Sequence, residues 1–226
     1  MTTAAVPSIA PPARELDGLT AALERRLLVA LAGKVPARIG PDHLTLLGFA
    51  AMLLAGVAYA LSSRWPVLLL AVNVALALNW LGDSLDGTLA RHRRRTRPRY
   101  GFYVDHVVDA FGAVFLLLGL AASGWVTPAL AVALLLAYLL LCVNIALAAS
   151  SRGIFKISYG ALGGTELRIL LAAANAAAWA WPRVSLAGAT VLSFDLVAGA
   201  GLAGVTAVLL RSVWQNTRAL YDLERL

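Results

Sequence analysis

The stretch PVLLLAVNVALALNWLGDSLDGTLA, residues 66–90, decides how this chain is read. Its first part is a run of Leu, Val and Ala long enough to cross hydrocarbon as a helix, which takes about 20 residues. Its last part carries two carboxylates, Asp83 and Asp86, and a glycine, Gly87. Comparable apolar stretches occupy residues 42–62, 102–123, 127–150, 165–182 and 188–213, separated by Ser, Gly, Pro and Arg clusters. The expected fold is therefore all-α, a polytopic membrane protein with six transmembrane helices.

Composition agrees with that expectation. Of 226 residues 60% are hydrophobic and 14% charged, against ~25% charged in a soluble domain. Residues 1–40 read as a tail, Met1 to Arg14, followed by an interfacial amphipathic helix. In that helix Leu16, Leu19, Leu23, Leu27 and Leu28 share a face, while Glu15, Asp17, Glu24, Arg25 and Arg26 lie on another. Residues 41–226 then form the transmembrane domain. Of the 19 Lys and Arg residues, only Arg64 and Arg183 fall at the far ends of the expected spans. The positive-inside rule puts both termini, and the basic loop from Arg91 to Arg99, on the cytoplasmic side of a cytoplasmic membrane. A net charge of +7 beside six spans indicates membrane lipid headgroups and phosphate-bearing substrates as partners, and no nucleic acid. Cys142, the single cysteine, lies mid-span and behaves as a small hydrophobe.

Asp83 and Asp86 stand at i, i+3; Asp105 and Asp109, at the start of the next span, stand at i, i+4. Each pair projects from one helix face. A charge near hydrocarbon costs at least ~2.5 kcal/mol on insertion scales, so four carboxylates imply a polar cavity and compensating cations. Oxygen-only ligands suit two hard divalent cations, Mg²⁺ or Mn²⁺, which bridge a pyrophosphate well. Gly87 within a helix implies a close approach to the backbone. Ala90, one turn beyond Asp86, keeps the same face shallow, and the planar fork of Arg91 suits a phosphate. Gly101 precedes Asp105 by one turn and opens the third helix in the same way. Singly, each has a plainer reading: membrane helices use Gly and Ala for packing, and Arg91 also serves as an end anchor. Asn79, one turn before Asp83, reads as a helix-to-helix hydrogen bond.

The ordered pattern Asp83-x-x-Asp86-Gly87-x-x-Ala90-Arg91, a short spacer, then Gly101-x-x-x-Asp105-x-x-x-Asp109 resembles that of the CDP-alcohol phosphotransferase family at every fixed position. The resemblance implies that the four aspartates hold two divalent metals and that Gly87, Ala90, Arg91 and Gly101 surround a CDP-linked donor. It implies attack of an acceptor hydroxyl on the β-phosphate with release of CMP, in phospholipid synthesis, by enzymes that commonly work as homodimers. His106 after Asp105, and Glu166 in Gly164-Thr165-Glu166, resemble the choline and ethanolamine phosphotransferases. There the Asp-His pair and a later Thr-Glu deprotonate the hydroxyl of a diacylglycerol. A CDP-alcohol donor and a diacylglycerol-like acceptor are thus favoured; the alternative is CDP-diacylglycerol with a polar alcohol such as inositol phosphate, glycerol phosphate or serine.

Imidazole is the side chain suited to general-base work near neutral pH, which favours His106 as the base. The alternative keeps His106 as a partner of Asp109, with Asp109 as the base. Glu166 either orients His106, pairs with Arg168 or caps its helix. The family's Pro-Asn-x-aliphatic-Thr segment reads here Pro41-Asp42-His43-Leu44-Thr45, where Asp42 is expected to cap the first span. The basic loop reads mainly as an anchor, with Arg97, Arg99, Arg152 and Lys156 as further candidates for an anionic substrate. A cation transporter fits less well, since all four acids sit at one edge of the membrane and only Asp195 lies toward the other.

Overall fold

The computed structural model describes residues 21–152, 164–186 and 188–225. Seven helices and one hairpin follow in order among them: α1 (Ala21–Ala32), α2 (Pro41–Ser62), α3 (Leu68–His92), α4 (Pro98–Ala122), α5 (Pro128–Arg152), α6 (Gly164–Ala180), β1 (Arg183–Leu186), β2 (Ala189–Leu192) and α7 (Ser193–Leu223). Three helices open on proline, at Pro41, Pro98 and Pro128. There the missing N–H is no loss and the fixed φ suits the first turn. Gly124, just after α4, takes φ +74°, the left-handed position that ends a helix.

Five helices, α2, α3, α4, α5 and α7, are long and apolar enough to cross a membrane. The expected fifth span, 165–182, is not among the five: its described residues form α6, 17 residues or about 26 Å at 1.5 Å per residue, next to residues 153–163, which lie outside those described. The expected span 188–213 is corrected too. Its first residues form β2, paired antiparallel with β1 from Arg183↔Leu192 to Leu186↔Ala189, and α7 continues to Leu223. Exposed Trp65 and Trp181 mark one end of the bundle, and exposed Tyr100, Trp214 and Tyr221 the end that carries the basic loop. Such aromatic belts sit at bilayer interfaces.

Helices in lipid gain little from apolar burial against each other, so association rests on close packing and hydrogen bonds. α2 supplies both. A Cβ on Gly82 of α3 would lie 2.5 Å from the Leu44 carbonyl oxygen, and one on Gly119 of α4 would lie 2.1 Å from the Gly56 carbonyl oxygen. The three helices therefore meet as bare backbones at two levels. Deeper in the bundle Tyr59 Oη donates to Asn175 Oδ1 at 2.7 Å, and Asn175 Nδ2 donates to Asn73 Oδ1 at 2.7 Å, joining α2, α6 and α3. α5 and α7 run side by side, linked at one end by Asp195, which accepts from the Thr127 N–H and hydroxyl at 2.6 and 2.7 Å.

The sequence places Glu24 of α1 on a polar face turned from the protein. Instead Leu28 and Ala32 pack with Leu44, Leu85 and Leu89, and Glu24 also points inward. Its Oε1 accepts from Trp80 Nε1 at 2.9 Å and Ser84 Oγ at 3.0 Å, and its Oε2 from Thr165 Oγ1 at 3.0 Å. Leu23, Leu27 and Val29 are exposed. The expected tail, with Leu16 and Leu19, lies outside the described residues.

Gly82→Ala is expected to cost about 1–3 kcal/mol, the usual penalty of overpacking, whereas Gly199→Ala on α7, where a Cβ meets nothing within 4 Å, should leave stability unchanged or raised. Thermal unfolding of the two variants in the same detergent checks this.

Candidate functional site

One cavity at the basic-loop end of the bundle is lined by Thr45 and Gly48 of α2, Asn79, Asp83 and Asp86 of α3, and Asp105, Val108 and Asp109 of α4. The four aspartates expected to act together do meet there. The i, i+3 and i, i+4 spacings turn each pair to one face, and the glycine contact between α2 and α3 sets the cavity's width. Asp86 is 7% exposed; Asp83 and Asp105 are half-buried and Asp109 is exposed.

Burial leaves Asp86 dependent on donors from its surroundings. Thr45 Oγ1 donates to its Oδ2 at 2.6 Å, and the Gly87 backbone N–H donates to its Oδ1. Asp83 takes a different partner: Arg168 of α6 donates from Nη2 to Asp83 Oδ2 at 2.9 Å and from Nε to Asn79 Oδ1 at 2.8 Å. Asn79 in turn donates from Nδ2 to the Gly48 carbonyl oxygen at 3.1 Å. Asn79 thus makes the expected helix-to-helix bond, and it also orients a guanidinium.

The donor set is chemically right for a hard divalent cation, being carboxylate oxygens from two helices around one cavity. Among the described residues, however, no group of three or more His, Cys, Asp and Glu side chains is arranged to hold one ion. Asp83 is turned to Arg168, and Asp86 to Thr45 and Gly87.

The remaining expected residues lie outside this lining. Gly87 and Ala90 are half-buried further along α3 toward the basic loop. Arg91 is exposed and donates to Thr88 Oγ1 at 3.1 Å. Gly101 sits in the first turn of α4, where a Cβ would meet nothing within 4 Å, so its space is open. His106 is half-buried on α4, its Nδ1 2.7 Å from the Phe102 carbonyl oxygen and its ring 4.3 Å from that of Phe102. A proton on Nδ1 satisfies that oxygen and makes Nε2 the basic nitrogen. Glu166 is in the first turn of α6, and its neighbour Arg168 reaches across to α3.

Asp42 does not cap α2. The Gly40 N–H is taken by His43 Nδ1 at 2.9 Å, while Asp42 receives Arg97. The basic loop is partly structural: Arg93 donates to the carbonyls of Ile39, Val35 and Pro36 at 2.6, 2.9 and 3.0 Å. Lys156 lies outside the described residues.

Sequence reasoning missed two residues here. Arg168 is a cation inside an apolar helix, which by its cost alone calls for an acidic partner on another helix. Thr45 was read only as the end of a short motif, and its spatial link to Asp86, 41 residues on, has no local signal.

Fold and site together define a polytopic α-helical membrane protein with an acidic cavity at one end of the bundle. The profile of the CDP-alcohol phosphatidyltransferase family matches residues 38–210, and the chain belongs to that family. No curated protein matches it. The family is one of transferases of phosphate-containing groups that act in phospholipid synthesis.

Thr45→Val removes the hydroxyl beneath Asp86 and is expected to cost about 1–3 kcal/mol, the penalty for stranding a buried acceptor. Thermal unfolding measures the loss, and Asp86→Asn combined with Thr45→Val should show less than the sum of the two single effects.

Proposed function

We propose that the chain transfers a phosphoalcohol group from a CDP-linked donor to an alcohol acceptor with release of CMP, using divalent cations held by Asp83, Asp86, Asp105 and Asp109. The observation that carries this reading is the lining of a single cavity by all four aspartates, from two helices, within the region matched by the family. Mg²⁺ or Mn²⁺ bound there would neutralise charge on the transferring phosphoryl oxygens and on the leaving nucleotide. The basic loop end faces the cytoplasm in this reading, since the cationic side chains gather there.

The protein's own groups supply the rest. Gly87 and Ala90 keep the surface beside the acids low enough for a nucleotide to approach, Gly101 leaves room on the facing helix, and Arg91 offers its fork to a phosphate. His106 Nε2 takes the proton of the acceptor hydroxyl, with Asp109 one turn away as its acidic neighbour and Glu166 contributing from α6. A neutral lipid acceptor is supported by the neighbourhood of the base. Tyr103, Val107 and Phe111 are exposed on α4 next to His106, and Asp109 is itself exposed. A hydroxyl arriving from the bilayer along α4 therefore reaches the acids without leaving lipid.

CMP release by the purified protein with Mn²⁺, CDP-choline or CDP-ethanolamine and diacylglycerol tests the reading. CDP-diacylglycerol with inositol phosphate, glycerol phosphate or serine forms the opposing arm, and turnover in that arm alone would reverse the donor assignment. His106→Ala is expected to lower turnover about 10²- to 10⁴-fold, the usual contribution of a general base, while metal-dependent CDP binding stays near the parent value. Full turnover in that variant would pass the role of base to Asp109.

A further inference from the structure

Arg168 is a cation that forms an ion pair with the acidic cavity, at Asp83. It comes from α6, not from the helices that bear the aspartates. Its side chain is 19% exposed and that of Asp83 is 34%, so the guanidinium is largely enclosed while the carboxylate stays partly open to the cavity. The contact is specific: Nη2 lies 2.9 Å from Asp83 Oδ2 while Nε lies 2.8 Å from Asn79 Oδ1, so the two donors of one guanidinium edge are each given an acceptor. Asn79 is fixed from behind by the Gly48 carbonyl oxygen. Four carboxylates around one cavity repel one another when no other cation is present, and a guanidinium on one of them relieves that repulsion.

We propose that Arg168 is a built-in counter-ion that occupies Asp83 and competes with divalent cations for it. The inference rests on the metal-dependent reading of the four aspartates. Arg168 is a positioning residue in this scheme. It holds Asp83 in place while the cavity is empty of metal and sets how much free metal is needed to fill it. A divalent ion entering the cavity must either displace the guanidinium from Asp83 or share the carboxylate with it, and either weakens binding. An arrangement in which Asp83 faces α6 also accounts for the absence, among the described residues, of three acidic side chains converging on one point.

The test is Mn²⁺ binding to the full chain in lipid nanodiscs, followed by the electron spin resonance signal of the free ion. R168Q is expected to bind Mn²⁺ roughly tenfold more tightly, the change that follows from removing one charge-assisted competitor. R168K, which keeps the charge, should stay near the parent affinity. In a D83N background the same R168Q change should have no effect on Mn²⁺ affinity. Thermal unfolding gives the second reading: R168Q should melt below the parent protein without metal and lose that deficit at saturating Mn²⁺. An R168Q affinity equal to or weaker than that of the parent overturns the proposal, as does a melting deficit of the same size with and without Mn²⁺. If the parent chain binds no Mn²⁺ at all, the metal-dependent reading falls and takes this one with it. Parent binding that R168Q leaves unchanged removes only the role of Arg168.

Discussion

At Gly82 an added carbon would sit 2.5 Å from the Leu44 carbonyl oxygen and 2.7 Å from the Gly48 nitrogen, so α2 and α3 approach there as bare backbones. The site depends on that approach. Thr45 lies one turn before Gly48 on α2, and only at this separation does its short side chain reach Asp86. The Gly48 carbonyl oxygen is likewise within reach of Asn79, which sets the angle at which Arg168 meets Asp83. A wider helix contact would leave Asp86 buried without a donor from α2, and a buried unpaired carboxylate costs more than any packing gain at that level returns.

The parts of this structure legible in the sequence are those fixed by a local rule. Span lengths and their proline starts come from hydropathy and backbone geometry, so α2 to α5 fall within a few residues of expectation. The gathering of the four aspartates follows in part from spacing on two consecutive helices joined by a short loop, and α2, packed against both α3 and α4, completes the cavity between them. What failed depends on contacts between distant segments. The expected end of the fifth span at 182 is cut back to Ala180, since Pro182 follows and the hairpin takes up the chain beyond. Glu24 reads as surface charge in isolation, and only the presence of Trp80, Ser84 and Thr165 makes an inward position favourable. His106 and Glu166 carry no geometric signature in the sequence at all, and their place in the reading rests on family likeness and on the chemistry of the groups.

The family match covers residues 38–210 and so includes α6 with Thr165, Glu166 and Arg168. The matched region therefore extends over more of the bundle than the acidic motif alone. α3 and α4 bring the carboxylates. α2 and α6 bring the groups that pair with those carboxylates and orient them: a neutral hydroxyl for the most buried, Asp86, and a guanidinium for the more accessible Asp83.

α6 shows how a short apolar helix is held in a membrane bundle. Thr165, Arg168, Ala172 and Asn175 recur at intervals of three and four residues and so form one stripe. Each meets a polar partner: Glu24, then Asp83 with Asn79, then Asn73 through the Ala172 carbonyl oxygen at 3.5 Å, then Tyr59 with Asn73. Apolar faces alone gain little from association in lipid, so this ladder of hydrogen bonds fixes both the depth of α6 and its rotation. Because the bonds above and below Arg168 belong to the same stripe, they fix the point on α6 from which its side chain starts, and the bond from Nε to Asn79 holds the guanidinium itself. The helix thereby converts a flexible side chain into a positioned charge, and the strength with which α1 holds Thr165 becomes part of what holds Arg168 on Asp83.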